Sequence, residues 1–183
     1  MVKLVILDRD GVINEDSPRH IRSPDEWSPI ANSLEAIVAL NTTGIKVAIA
    51  TNQSGVARGY FTEKTLKSIH DKMKRLLIGM GGKIDYLAYC TDAPDSKSKR
   101  RKPEPGMLLE ISKKLKIPLN EAVFIGDSYR DYEAAVKAKC PFVLVKTGKG
   151  ESTLSEHPEL ANAITIYNDL AEFVAQLLAE NEV

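Results

Sequence analysis

Short apolar runs alternate along this chain with stretches whose apolar residues recur three to four positions apart. The runs fall at residues 2–7, 47–50, 84–89, 123–125 and 142–145, with a weaker one at 163–167. Between them lie helical stripes: Leu34, Ile37, Val38; then Leu66, Ile69, Met73, Leu76, Leu77; then Leu108, Ile111, Leu115; then Tyr132, Ala135, Val136. A last stripe of Leu170, Phe173, Val174, Leu177 and Leu178 follows Asn168, which is placed to cap it. Buried strands alternating with amphipathic helices form βαβ units around a mostly parallel sheet covered on both faces. The expectation is an α/β fold, a three-layer doubly wound sheet. At 183 residues the chain can bury one substantial core but is short for two, so a single domain over 1–183 is expected.

Charge and cysteine usage narrow the setting. Lysine plus arginine total 25, as do aspartate plus glutamate, so there is no overall electrostatic footprint for nucleic acid or a membrane surface. Neither partner is expected, and a monomer is. The N-terminal apolar run ends in acids and is too short for a signal-peptide core. Nor does any apolar run approach the roughly 18 residues of a membrane-spanning helix. Two widely separated cysteines, Cys90 and Cys140, then read as reduced thiols packed as small apolar residues in a cytoplasmic protein.

Parallel sheets bind ligands beyond the carboxyl ends of their strands, so the residues following each run matter most. The first run enters Asp8-Arg9-Asp10-Gly11, and the second enters Thr51-Asn52-Gln53-Ser54-Gly55. The fourth enters Gly126-Asp127-Ser128 with Asp131 beyond, and Arg101-Lys102-Pro103 stands before a helix. All four groups should converge on one sheet edge. Two positions apart on extended chain, Asp8 and Asp10 share a face, and two close carboxylates need a cation or a proton between them. Mg2+ takes a few carboxylates together with waters and phosphate oxygens, which suits Asp8 and Asp127. A carboxylate can attack phosphorus to give an acyl phosphate that water later cleaves. Lys102, Thr51 and Asn52 could hold the oxygens of the transferring group, with Gly11 and Gly55 letting the backbone turn closely around it.

The ordered set DRDGVIN, TNQSGVARG, RKPEPGM and GDS resembles the haloacid dehalogenase superfamily of aspartate-nucleophile phosphatases. TNQSGVARG followed by RKPEPGM is similar to the branch shared by heptose bisphosphate and histidinol-phosphate phosphatases. The likeness spans residues 1 to 148 and is weaker beyond. It implies a Rossmann-like core without a large cap domain. It also implies Mg2+-dependent hydrolysis of a small sugar phosphate, here the 7-phosphate of a heptose 1,7-bisphosphate used in lipopolysaccharide synthesis. Carried over, Asp8 is the nucleophile, and Asp10 is the acid/base that also gives its main-chain carbonyl to the metal. Asp127 completes the metal site, Thr51 and Asn52 bind the phosphoryl oxygens, Lys102 neutralises charge on the nucleophile and phosphate, and Gln53 and Ser54 contact the substrate. Arg101 and the segment 16–19, with Asp16 and Arg19, face the sugar or its second phosphate, and Arg58 either contacts substrate or steadies its own loop.

One loop departs from that branch. Many of its members hold a structural zinc through C-x-H and C-x-C before the lysine motif. Here the corresponding loop runs from Cys90-Thr91-Asp92 to Ser98-Lys99-Arg100, with Cys90 as the one remaining ligand. A closed zinc site needs four donors, so no zinc is expected.

Histidinol phosphate carries a cationic amino end, and Arg101 beside Lys102 favours a second anion instead. A polynucleotide 3′-phosphatase shares D-x-D-G but would need a basic, aromatic-lined groove. A phospho-receiver domain would carry its acceptor aspartate after the third strand, where Tyr89-Cys90-Thr91 stands. Asp131 is read as a partner of Lys102 or a local cap. His20, His70 and His157 read as surface histidines, and Trp27 as a loop anchor.

Overall fold

The computed structural model describes residues 1–181. Six strands form one parallel sheet: β1 (Leu4–Leu7), β2 (Lys46–Asn52), β3 (Tyr86–Cys90), β4 (Ala122–Gly126), β5 (Phe142–Val145) and β6 (Thr165–Tyr167). Their order is β3-β2-β1-β4-β5-β6, and every neighbouring pair is parallel. Helices α1 (Ser33–Thr42), α2 (Glu63–Gly79), α3 (Gly106–Leu115), α4 (Tyr129–Ala138), α5 (Gly150–Glu156) and α6 (Leu170–Asn181) complete the chain, with three short 3-10 turns. The expected three-layer α/β architecture is the one observed.

Both layers can be read from the pleat. In β1, Val5 and Leu7 face a cluster built with Leu34, Ile37, Ile69, Met73, Phe173 and Val174, from α1, α2 and α6. Leu4 and Ile6 face the opposite cluster with Met107, Leu108, Ile111, Ala134 and Ala135, from α3 and α4. All four β1 residues are fully buried, as a central strand covered on both faces requires. The chain winds outward from β1 to β3, then crosses back to place β4 on the other side of β1. The direction of winding reverses there, so the β1 and β4 loops part and leave a crevice.

Some helix expectations need correction. Leu76 and Val136 are exposed, so they lie off the core stripes. The cap of α6 is Asp169 rather than Asn168: the Asp169 carboxylate accepts the Glu172 N–H at 2.8 Å. Trp27 anchors its loop as expected, at 1% exposure. Among the described residues no helix is long and apolar enough to cross a membrane.

Candidate active site

The β1–β4 ladder runs one residue past the strand: the Asp8 N–H donates to the Ile125 carbonyl at 3.0 Å. The chain then turns sharply. The Arg9 carbonyl accepts the Ile13 N–H at 2.9 Å, and the Gly11 N–H donates to the Asn14 carbonyl at 2.7 Å. Gly11 has φ +82°, and a Cβ there would lie 2.0 Å from Asp127 Oδ2. Glycine is therefore required twice over, for the backbone angle and for the approach of the β4 loop. Asp8 Oδ1 accepts the Arg9 backbone N–H at 2.7 Å and pairs with Lys102 Nζ at 3.0 Å.

Lys102 reaches Asp8 from the loop before α3. Its Nζ also pairs with Asp131 Oδ1 at 2.7 Å and donates to the Ala50 carbonyl at 2.9 Å. Its backbone is fixed by Asn52: the Lys102 N–H donates to Asn52 Oδ1, and Asn52 Nδ2 donates to the Lys102 carbonyl. Burial pulls the ammonium down, but the Asp131 and Asp8 carboxylates outweigh it and raise it above its ordinary value.

The Asp10 carboxylate is held apart from this cluster. Its Oδ1 accepts from Arg9 Nε and Asn14 Nδ2, each at 2.9 Å, and lies 2.8 Å from Arg9 Nη2. Its Oδ2 accepts from Gln53 Nε2 at 3.1 Å, and that amide also donates to Thr51 Oγ1. Burial pushes Asp10 up, but Arg9 and the bonds from Asn14 and Gln53 win and hold it below the usual carboxylate range.

At the end of β4, Asp131 works twice. Its Oδ2 accepts the Asp127 and Ser128 N–H groups and the Ser128 hydroxyl, forming a capping box for α4, while Oδ1 faces Lys102. The two roles expected of Asp131, lysine partner and cap, are both real. Asp127 Oδ2 accepts the Lys149 N–H at 2.8 Å, and its carbonyl accepts the Thr153 hydroxyl.

Asp8, Asp127 and Asp131 each present a carboxylate oxygen within 4.8 Å of the others. Lys102 supplies one positive charge against three carboxylates. Burial, with the Asp131 and Asp10 charges adding to it against Lys102, pushes Asp8 up to about 7. Burial and the Asp131 and Asp8 charges push Asp127 well above its ordinary value. Packing buried acids this closely costs free energy that a divalent cation would offset. An all-oxygen, carboxylate-rich set open to a cavity fits a hard ion such as magnesium.

The cavity above this floor has a volume of about 230 Å³. Of the expected substrate residues, Asp16, Asn52, Ser54, Arg58 and Arg101 line it. Thr51 and Gln53 are buried beside it and bonded to each other, and Gln53 holds Asp10 rather than facing the cavity. Arg19 is exposed and stands outside the lining, although its neighbours Ser17, Pro18 and His20 belong to it. Gly55 is needed for a different neighbour than expected, since a Cβ there would lie 2.3 Å from the Phe61 ring.

Sequence reasoning missed Arg130 and Lys149, which both line the cavity, and the clamp on Asp127. Thr147 Oγ1 donates to the Gly11 carbonyl at 2.7 Å, and a Cβ at Gly148 would lie 2.2 Å from Asp127 Oδ2. These residues form the Thr147-Gly148-Lys149 turn just after β5, which the strand-end rule would have found. Two histidine readings are also corrected. His20 lines the cavity, and His70 is buried at 4% exposure, held against Arg9.

A doubly wound sheet with an aspartate after β1, a lysine on it and two more aspartates after β4 defines a class, the haloacid dehalogenase-like hydrolases. Residues 99–173 match the HAD-hydrolase-like family. The D-glycero-beta-D-manno-heptose-1,7-bisphosphate 7-phosphatase of Pseudomonas putida is 45% identical over 177 residues, covering 97% of this chain and 100% of that one. The same-named protein of Bordetella bronchiseptica is 45% identical over 98% of this chain and 99% of its own length. A crystal structure of the B. bronchiseptica D,D-heptose 1,7-bisphosphate phosphatase, complexed with magnesium and phosphate, superposes with a TM-score of 0.92, covering 98% of this chain and 99% of that one. The chain therefore belongs to the D-glycero-β-D-manno-heptose-1,7-bisphosphate 7-phosphatase family, and it is a phosphatase.

Proposed function

We propose that this enzyme removes the 7-phosphate of D-glycero-β-D-manno-heptose 1,7-bisphosphate through an aspartyl-phosphate on Asp8. The observation that carries the reading is the position of Asp8 at the cavity floor, with Lys102 on Oδ1 and Asp10 held separately. Oδ1 is occupied by Lys102 and the Arg9 N–H, which leaves Oδ2 to attack phosphorus. Asp10, ionised in the free enzyme, takes up a proton as the phosphate dianion arrives beside it, gives that proton to the departing alkoxide and later takes one from the water that cleaves the acyl phosphate. Lys102 offsets the charge that builds on the phosphoryl oxygens. Magnesium would be held by Asp8, Asp127 and the Asp10 carbonyl, with Asp131 beside them, and would supply charge neutralisation for the phosphoryl group.

Substrate choice rests on the mouth. Arg58, Arg101, Arg130 and Lys149 ring the opening, and burial together with the Arg130 charge lowers Arg101. Cations gathered around one opening suit a second anionic group on the substrate and repel the ammonium at the far end of a substrate such as histidinol phosphate. Phosphate release in Mg2+ buffer should be fastest with the β-anomer of the heptose bisphosphate, against its α-anomer, fructose 1,6-bisphosphate and histidinol phosphate. No release from either heptose anomer would sink the reading.

A further inference from the structure

We propose that His70 is a positioning residue for this reaction, fixing the Arg9 guanidinium that aims the Asp10 carboxylate. Arg9 stands between the two catalytic aspartates, yet its side chain turns inward and is fully buried. There it spans two partners. On one side Nε and Nη2 reach Asp10 Oδ1 at 2.9 and 2.8 Å. On the other, Nη1 lies 3.1 Å from His70 Nε2.

Arginine can only donate, so Nε2 must accept, and the ring is the neutral tautomer protonated at Nδ1. Burial and then the Arg9 charge push His70 down to about 3, which keeps that acceptor available over any working pH. The ring is held in turn. It sits on α2 and packs at a 54° tilt against the Tyr89 ring of β3, with centroids 5.8 Å apart. A buried guanidinium left without an acceptor on one side would shift or draw in water, and Asp10 would move with it.

This inference rests on Asp10 as the acid of the first step. There the bond from phosphorus to the leaving oxygen breaks, the bond from Asp8 to phosphorus forms, and the proton that Asp10 took up as the phosphate dianion arrived passes to the leaving oxygen. Arg9 then stabilises the carboxylate that remains. An alkoxide needs that proton; p-nitrophenolate, a good leaving group, does not. A misaimed Asp10 should therefore slow the first step for sugar phosphates alone, whereas a damaged fold would slow both substrates.

The experiment measures kcat/KM, which reports the steps up to alcohol release, on a sugar phosphate and on p-nitrophenyl phosphate. His70→Leu should lose about 10- to 100-fold on the sugar phosphate, as expected for a displaced rather than deleted group, and no more than about threefold on p-nitrophenyl phosphate. His70→Gln keeps an acceptor, has room from the cavity of about 230 Å³ that borders the ring, and should recover most of the loss. Should His70→Leu fold poorly, Arg9→Lys provides the same test, because one ammonium cannot span both partners. Equal losses on the two substrates, or none on the sugar phosphate, would overturn the proposal. Asp10→Asn separates the two levels. If it shows the split and His70→Leu does not, only the His70 proposal fails; if Asp10→Asn shows no split, the acid role fails and takes the proposal with it.

Discussion

The floor of the cavity and its mouth are held in different ways. At the floor, Lys102, Asp127 and Asp131 are at most 3% exposed, and each is fixed by two or more short bonds. At the mouth, Arg58, Arg130 and Lys149 are exposed, with Lys149 met by Asp16 at 3.6 Å, and Arg101, though only 7% exposed, has a single long side-chain bond, from Nη1 to the Asp92 carbonyl at 3.3 Å. Buried, mutually bonded charges have one arrangement, so the floor is set before substrate arrives. Exposed cations on long stems order only when an anion reaches them. Under the proposed function, chemistry is then built into the floor and selectivity into the mouth, and substitutions in the two regions should fail differently.

Gly11→Ala attacks the floor at its tightest point and should have the largest effect. The new methyl meets both a left-handed backbone angle and the Asp127 carboxylate. The strain is about 1–3 kcal/mol for the angle alone, and moving Asp127 disturbs the proposed metal site as well. Urea unfolding should show a loss of that size or more, with kcat down by at least about 100-fold. Wild-type stability and turnover in this variant would mean that the floor is far softer than its contacts imply.

The floor should also respond to pH when stripped of metal. Asp8 sits near 7 in the folded state against 3.8 in an unfolded chain, and Asp127 moves the same way. Between those values the folded state holds more protons than the unfolded one, so stability falls as pH rises through the window. In EDTA the Tm should be lower at pH 8 than at pH 5.5, and adding Mg2+ at pH 8 should close the difference. A Tm that ignores both pH and Mg2+ would contradict the crowding of carboxylates described above.

At the mouth the expected effect is smaller and of another kind. Arg130→Ala removes one exposed cation that no acid holds among the described residues. KM for a sugar bisphosphate should rise about tenfold, the size of one charge-assisted contact, with kcat changed by less than about threefold. KM for a monophosphate should barely move. If kcat fell instead, Arg130 would belong with the floor.

The same division decides how much the sequence could reveal. Strand ends are local: Asp8 and Asp127 follow apolar runs, Lys102 stands before a helix, and all three reach the cavity, whereas Thr51 at the end of β2 stays buried behind it against Gln53. The turn Thr147-Gly148-Lys149 obeys the same rule and was readable, but its contribution is backbone contact with Asp127 and Gly11, which side-chain chemistry does not advertise. His70 was readable as well. Leu66, His70, Met73 and Leu77 are four, three and four apart, so the histidine lies on the buried stripe of α2, where Leu76 does not. Arg19 shows the limit. A segment of loop can reach the cavity through Asp16, Ser17, Pro18 and His20 while one side chain within it points to solvent, and no periodicity records that.

One loop serves both regions, because it carries Arg101 to the mouth and Lys102 to the floor. Arg100, next to them, anchors it through a forked pair with Glu110 on α3: Nε to Oε2 at 2.8 Å and Nη2 to Oε1 at 3.2 Å. Arg100 Nη1 also donates to the Tyr89 carbonyl, and Tyr86 donates its hydroxyl to Glu110. The Arg100 side chain is 46% exposed, so solvent screens the pair and Glu110→Gln should cost only about 0.5–1 kcal/mol. The direction of the accompanying kinetic change is the informative part. Lys102 is held independently by Asn52, Ala50, Asp8 and Asp131, so kcat should stay within about twofold of wild type. Arg101 lacks such support, so a looser loop should appear as a rise in bisphosphate KM of about two- to threefold. A fall in kcat with KM unchanged would mean that the loop steadies Lys102 after all, and that floor and mouth are coupled through Arg100.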